Sequence, residues 1–236
     1  GTWSSKEWIR WTVDEYLPYR EHQLFHKDYD NDVEKMVIHF SDWCMQEYIN
    51  LQSDKETGLI HSLSHLSPEN GIDTLTILFM IDCLPINFYS LMEAALQNIG
   101  FARHNISYRF ASLPTTTEYN KGAILGGRWE DEGSREYKKI IRERATEDWG
   151  DYTVLYAGTI KELSELQVTD KNTIILVNFT AGDTVLHSDV EALGTTYTEE
   201  LTRYYYRLTE ALDKVISRWN GKRSDIVLHL LTDHGA

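Results

Sequence analysis

The sequence predicts an α/β fold, a mainly parallel sheet with helices on both faces, preceded by a small helical region. Three observations predict it. From residue 71 onward, strand-length apolar runs alternate with helix-length segments, the pattern of a parallel sheet covered on both sides. Residues 1–70 instead place apolar residues at helical three-and-four spacing. Finally, three of the apolar runs, 74–81, 173–179 and 225–231, give out just before an aspartate, and ligands gather at the carboxyl ends of strands in such sheets. The 236 residues suffice for one large domain or a core with an appendage, and we divide them into a helical region, 1–70, and a core, 71–236.

A first helix is expected from Lys6 to about Tyr16, carrying Trp8, Ile9, Trp11 and Tyr16 before Pro18 interrupts it. A second is expected from about Asp32 to Leu51. There Val33, Met36, Val37, Phe40, Trp43, Cys44, Met45 and Tyr48 recur with the spacing of an amphipathic helix. Residues 54–72, with Gly58, Pro68 and Gly71, read as a connection. Strands are expected at 74–81, 105–111, 152–156, 173–179 and 225–231. Helices are expected near 86–98, 118–125, 134–147, 159–166 and 197–219. In the last of these, Leu201, Leu208, Leu212, Val215 and Ile216 flank the run Tyr204–Tyr206 at helical spacing, which predicts packing against the sheet.

Hydrophobic content of 42% with 25% charged residues is that of a globular protein. The net charge of −14 is spread along the chain, without the basic half or tail that marks duplex binding. An anionic substrate therefore needs local cations, bound metal or a small basic cluster. Cys44 and Cys83 have neither disulfide-framework nor metal-site spacing, and read as apolar fillers of a reduced protein. No apolar stretch approaches the ~20 residues of a membrane span. A cytoplasmic setting without membrane contact is expected.

The chemistry concentrates at the strand ends. Asp82, Asp183 and Asp233 follow apolar runs; His187 lies four residues after Asp183, and His234 directly follows Asp233. Carboxylate oxygen and imidazole nitrogen are the donors a divalent zinc site takes. A candidate nucleophile lies in Leu113-Pro-Thr-Thr-Thr-Glu-Tyr-Asn120. Two readings of this segment stand side by side. Thr116 or Thr117 ahead of Glu118 makes a good helix cap; a threonine at a helix N-terminus is also well placed to meet a phosphoryl group.

The order Asp82, Thr-x-x-Asn at 117–120, Asp-x-x-x-His at 183–187 and Asp-His at 233–234 resembles the alkaline phosphatase superfamily. It is most similar to the nucleotide pyrophosphatase/phosphodiesterase branch and to PglZ domains, and Leu-Pro-Thr-Thr-Thr-Glu-Tyr-Asn-Lys looks most like PglZ. The resemblance covers roughly residues 72–236. It implies two divalent metal ions, zinc or, as the alternative, manganese. Asp82, Thr117, Asp233 and His234 would hold one. Asp183 and His187, with a further histidine from the C-terminal side, would hold the other, so the core is expected to be truncated. The resemblance also implies Thr117 as nucleophile, chosen because only it has Asn at the third following position, and Asn120 as donor to a phosphate oxygen. It favours phosphodiesters over monoesters, with nucleic acid or a nucleotide-derived diester as candidate substrates. Through PglZ it implies phage defence of the BREX type or response-regulator output, and hence defence-system or signalling proteins as partners.

Neither cysteine lies in the Cys/Ser-x-Pro-x-Arg context of sulfatases, and the phosphate-binding loop and the His-Glu-x-x-His signature are both missing. Asp28, Asp30 and Asp32 alternate like a calcium loop, but Val33 stands where its glycine belongs. Arg135, Lys138, Lys139 and Arg142 fall on one face of the expected 134–147 helix. With Glu136, Glu143 and Glu147 interleaved, they read either as a self-paired solvent face or as a track for a polyanion. His104 and His229 read as structural histidines. The rival to an enzyme is a phosphatase-like scaffold, an interaction module of a larger assembly.

Overall fold

Strand β1, Leu75–Ile81, is buried on both faces almost throughout, which places it at the centre of the molecule. The computed structural model describes residues 3–64, 66, 74–113, 115–150, 152–168, 172–190, 192 and 194–234. Four parallel strands, β1, β2 (Thr153–Ala157), β3 (Thr173–Phe179) and β4 (Ile226–Thr232), stand in the order β2-β3-β1-β4. Alternation along β1 separates two cores. Leu75, Ile77, Phe79 and Ile81 face α4 (Tyr89–Asn98) and the 20-residue α9 (Tyr197–Ile216), with α7 (Ile160–Glu165) and α8 (Ala181–Leu186) on the same side. Leu78 and Met80 face α5 (Thr117–Gly126), α6 (Tyr137–Arg144) and the connection residues Leu59 and Leu63. Helices on both faces of a parallel sheet are what the sequence predicts.

The local reasons are legible. Thr196 and Glu199 form a reciprocal capping box that starts α9, and Leu201, Leu208, Leu212, Val215 and Ile216 turn inward, as expected. Tyr205 of the tyrosine run is buried with them. Helix α5 is buried from Asn120 to Gly126. It ends on Gly127, whose φ of 73° lets its N–H donate to the Ala123 carbonyl at 2.9 Å. Its Gly122 packs so closely on the Asp131 loop that a Cβ would run into the Asp131 carbonyl oxygen.

Two expectations are corrected. Pro18 does not interrupt the first helix. Helix α1 (Ser5–Trp11) continues through a π-helical turn, Thr12–Tyr16, into α2 (Leu17–Phe25), with the Leu17 N–H bonded to Thr12 O. The wider turn just ahead of the proline opens the backbone where its ring would otherwise meet a carbonyl. Nor do residues 105–111 form a strand. Phe110 alone makes a bridge, to Gly58, and its ring packs on Trp43 at 5.8 Å between centroids. The segment therefore serves the aromatic cluster of Trp8, Trp11, Phe40 and Trp43, contributed by α1 and α3 (Asn31–Ser53), rather than a ladder. It borders a groove of about 1350 Å³ along the outer edge of β4. The connection expected over 54–72 lies partly outside the described residues, Pro68 and Gly71 among them; its described part makes a short turn at Leu59–His61. Helix α8 was not anticipated. No described helix is long and apolar enough to cross a membrane.

Because Gly122 meets backbone rather than a movable side chain, Gly122→Ala should lower stability by about 1–3 kcal/mol. Chemical denaturation measures it, and an unchanged midpoint would mean that the Asp131 loop yields freely.

Candidate metal centre

The parallel register of β1 and β4 builds the site. Ile81 lies opposite Thr232, so the next residues, Asp82 and Asp233, leave neighbouring strands side by side. Beyond Asp82 the chain turns through Cys83, whose φ of 52° is rare for a side-chain-bearing residue. That turn aims the Cys83 N–H at Asp233 Oδ1 (3.2 Å) and the Leu84 N–H at Thr232 Oγ1 (3.0 Å), clamping the two strand ends together. The His234 N–H also donates to Asp233 Oδ1, at 3.2 Å. Asp82 and Asp233 are buried, and His234 is half-buried beside them.

The N-terminus of α5 closes the site. Thr117 Oγ1 donates to Asp82 Oδ1 at 2.9 Å and lies 3.1 Å from His234 Nε2. Thr116 occupies the cap position, but no side chain caps this helix, so the capping reading of the threonines does not describe where the hydroxyls go. The loop ahead of α5 is pinned at two points. The Leu113 N–H donates to the Tyr48 hydroxyl of α3 (2.8 Å), and the Ser112 N–H to Asn120 Oδ1 (2.6 Å). Asn120 is fully buried, and its Nδ2 donates to Thr116 O at 2.9 Å. In this structure its amide shapes the loop ahead of Thr117.

Lys121, which the sequence reading passed over, stands one helical turn beyond Thr117 and so on the same face. Its side chain is 1% exposed, with Nζ 3.0 Å from Asp82 Oδ2, 3.8 Å from Asp233 Oδ2, and 5.7 Å from the centre of the Tyr137 ring. The i, i+4 spacing from Thr117 was the available signal.

The donor set fits a divalent ion. Asp82, Asp233 and His234 each offer a ligand atom within 4.8 Å of the others. Among the described residues Asp233 Oδ2 is buried and accepts no hydrogen bond, with only the Lys121 ammonium 3.8 Å away to offset its charge, a state that a bound cation would relieve further. Two carboxylates and an imidazole suit zinc or manganese. Asp183 and His187 stand apart from this cluster, on and just after α8, with Asp183 Oδ1 3.3 Å from His187 Nε2 and the imidazole largely exposed. The α8 segment nonetheless packs on the centre: a Cβ on Gly182 would sit 3.3 Å from the Asp82 carbonyl oxygen. Cys83 feels the charge of aspartates from both groups. Burial pushes its thiol up to about 11, and Asp183, Asp233 and Asp82 add to the shift.

The basic stripe is only partly helical. Arg135 precedes α6, whereas Lys138, Lys139 and Arg142 lie on it; all four are exposed, and Lys139 pairs with Glu136 at 3.3 Å. The groove along β4 runs to Asp233 and His234 and so reaches the centre from the sheet edge. Neither protein-family models nor curated proteins give any match to the chain.

Burial likewise holds the Cys44 thiol at about 11. At pH 8 roughly one such thiol in a thousand is ionised. Iodoacetamide should therefore leave both cysteines of the native protein unmodified while labelling the denatured chain; fast labelling of the native protein would contradict this geometry.

Proposed function

We propose that the protein hydrolyses phosphate esters through Thr117, with phosphodiesters as the preferred class. One observation carries the reading: the Thr117 hydroxyl, at the start of α5, is held between Asp82 Oδ1 and His234 Nε2. A hydroxyl so held is oriented for attack and sits where helix N–H groups face an incoming anion. A divalent ion on Asp82, Asp233 and His234, zinc before manganese, would supply the positive charge that favours ionisation of the hydroxyl and offsets charge on the phosphoryl group.

In the proposed reaction, Thr117 Oγ1 bonds to phosphorus as the bond to the leaving oxygen breaks, and that oxygen takes up a proton. Water then cleaves the phosphothreonine and restores the hydroxyl. Asp82 orients the hydroxyl through its Oδ1. We assign Asn120 the contact to a non-bridging oxygen, for which its buried amide has to leave its bond to Thr116 O, and Asp183 with His187 a second ion on the side of the leaving group. The net charge of −14 means that such local cations must outweigh the general field. Arg135, Lys138, Lys139 and Arg142 are proposed to extend them toward a nucleic-acid or nucleotide-derived diester. A role in phage defence is the proposed setting.

With zinc or manganese supplied, a chromogenic phosphodiester should be hydrolysed faster than its monoester analogue. Thr117→Ala should abolish turnover with metal content barely changed, while Thr116→Ala stays active. Full activity in Thr117→Ala would remove the proposed nucleophile. Replacing Arg135 and Lys139 together by Glu should raise KM several-fold for an oligonucleotide and leave a small diester unaffected; equal effects on both would rule out the polyanion track.

A further inference from the structure

Lys121 is a cation placed where the site would be expected to receive one. The residue is fully buried at the base of the centre, in contact with Asp82 Oδ2 and within reach of Asp233 Oδ2. Lysine is almost never buried unless it is paired. The two carboxylates, 6% and 1% exposed, are like charges on adjacent strand ends with little water to separate them. The partition of their oxygens is informative. Lys121 lies on the Oδ2 side of Asp82, whereas Oδ1 of the same carboxylate faces Thr117 and His234. An ammonium and a divalent ion can therefore occupy different oxygens of Asp82, while at Asp233 both face Oδ2, which lies 3.8 Å from Nζ, beyond hydrogen-bond contact.

We infer that Lys121 is a resident counter-ion of the metal centre, a positioning residue that holds Asp82 and Asp233 in place in the metal-free protein and loosens the grip of the site on its ion. Both effects follow from one fixed charge. Without metal, the ammonium offsets the repulsion between the carboxylates, so the strand ends need not separate. With metal, it repels the ion across a few ångströms of poorly screened interior, which lowers affinity by about tenfold or more. The Tyr137 ring, 5.7 Å from Nζ, helps to keep the ammonium in position. The inference rests on the metal reading proposed above and adds what tunes that metal.

Lys121→Met keeps the apolar stem and removes the charge. Zinc titration by calorimetry should show the variant binding about tenfold or more tightly than the unaltered protein. Thermal unfolding in the presence of chelator should show the variant melting earlier, with zinc returning it at least to the level of the unaltered protein. Equal or weaker zinc affinity in the variant, or a stability loss that zinc does not repair, would overturn the inference and leave Lys121 a packing residue. Should the variant fail to fold without metal, refolding with zinc present decides: recovery supports the counter-ion, and failure there too overturns it. If the unaltered protein binds neither zinc nor manganese, the metal reading itself fails, a result distinct from unchanged affinity in the variant.

Discussion

Two aspartates emerging side by side from parallel strands are the constraint on which the rest of the site depends. The Ile81–Thr232 register makes Asp82 and Asp233 neighbours on adjacent strands, so their like charges must be offset where they stand. Each surrounding feature bears on that juxtaposition. Backbone N–H groups of Cys83 and His234 satisfy one oxygen of Asp233, Lys121 pairs with one oxygen of Asp82, and Thr117 donates to the other. Asp233 Oδ2 remains without a hydrogen bond, which makes the cluster a better receptor for a cation than a settled structural network would be.

The elements around the site hold this arrangement in place. Helix α5 delivers both the hydroxyl and the ammonium from one face, and its glycine contact with the Asp131 loop sets how near it lies. Tyr48 reaches from the N-terminal helices to the loop before α5, so the helical region takes part in placing the loop that leads to Thr117. At the sheet edge, β4 is only half-buried, and the groove beside it leads to Asp233 and His234. With the Asp82, Asp233 and His234 cluster at the end of such a groove, the acidic protein keeps a candidate cation site apart from its general field.

Much of this was legible from residue order. The runs ending at 81, 179 and 231 matched β1, β3 and β4 to within a residue; β1 and β3 are continuous apolar strands buried on both faces, and β4, though half-buried at the sheet edge, carries the same apolar run. Residues 105–111 misled because Ile106, Tyr108 and Phe110 alternate like a strand, yet only Phe110 found a backbone partner. Pro18 misled because a π turn, invisible in composition, accommodates it. Asp183 and His187 had convincing ligand spacing, but that spacing on α8 brings them to each other and leaves them outside the buried cluster.

The sequence by itself determined the elements, the faces they bury and the residue types available for chemistry, since these follow from periodicity and local preference. Only the tertiary structure decided which of those residues meet. Strand order put Asp82 beside Asp233 across about 150 residues of chain, and helix docking put Lys121 between them. Such pairings arise from long-range packing and the need to neutralise buried charge, and neither leaves a periodic trace in the sequence.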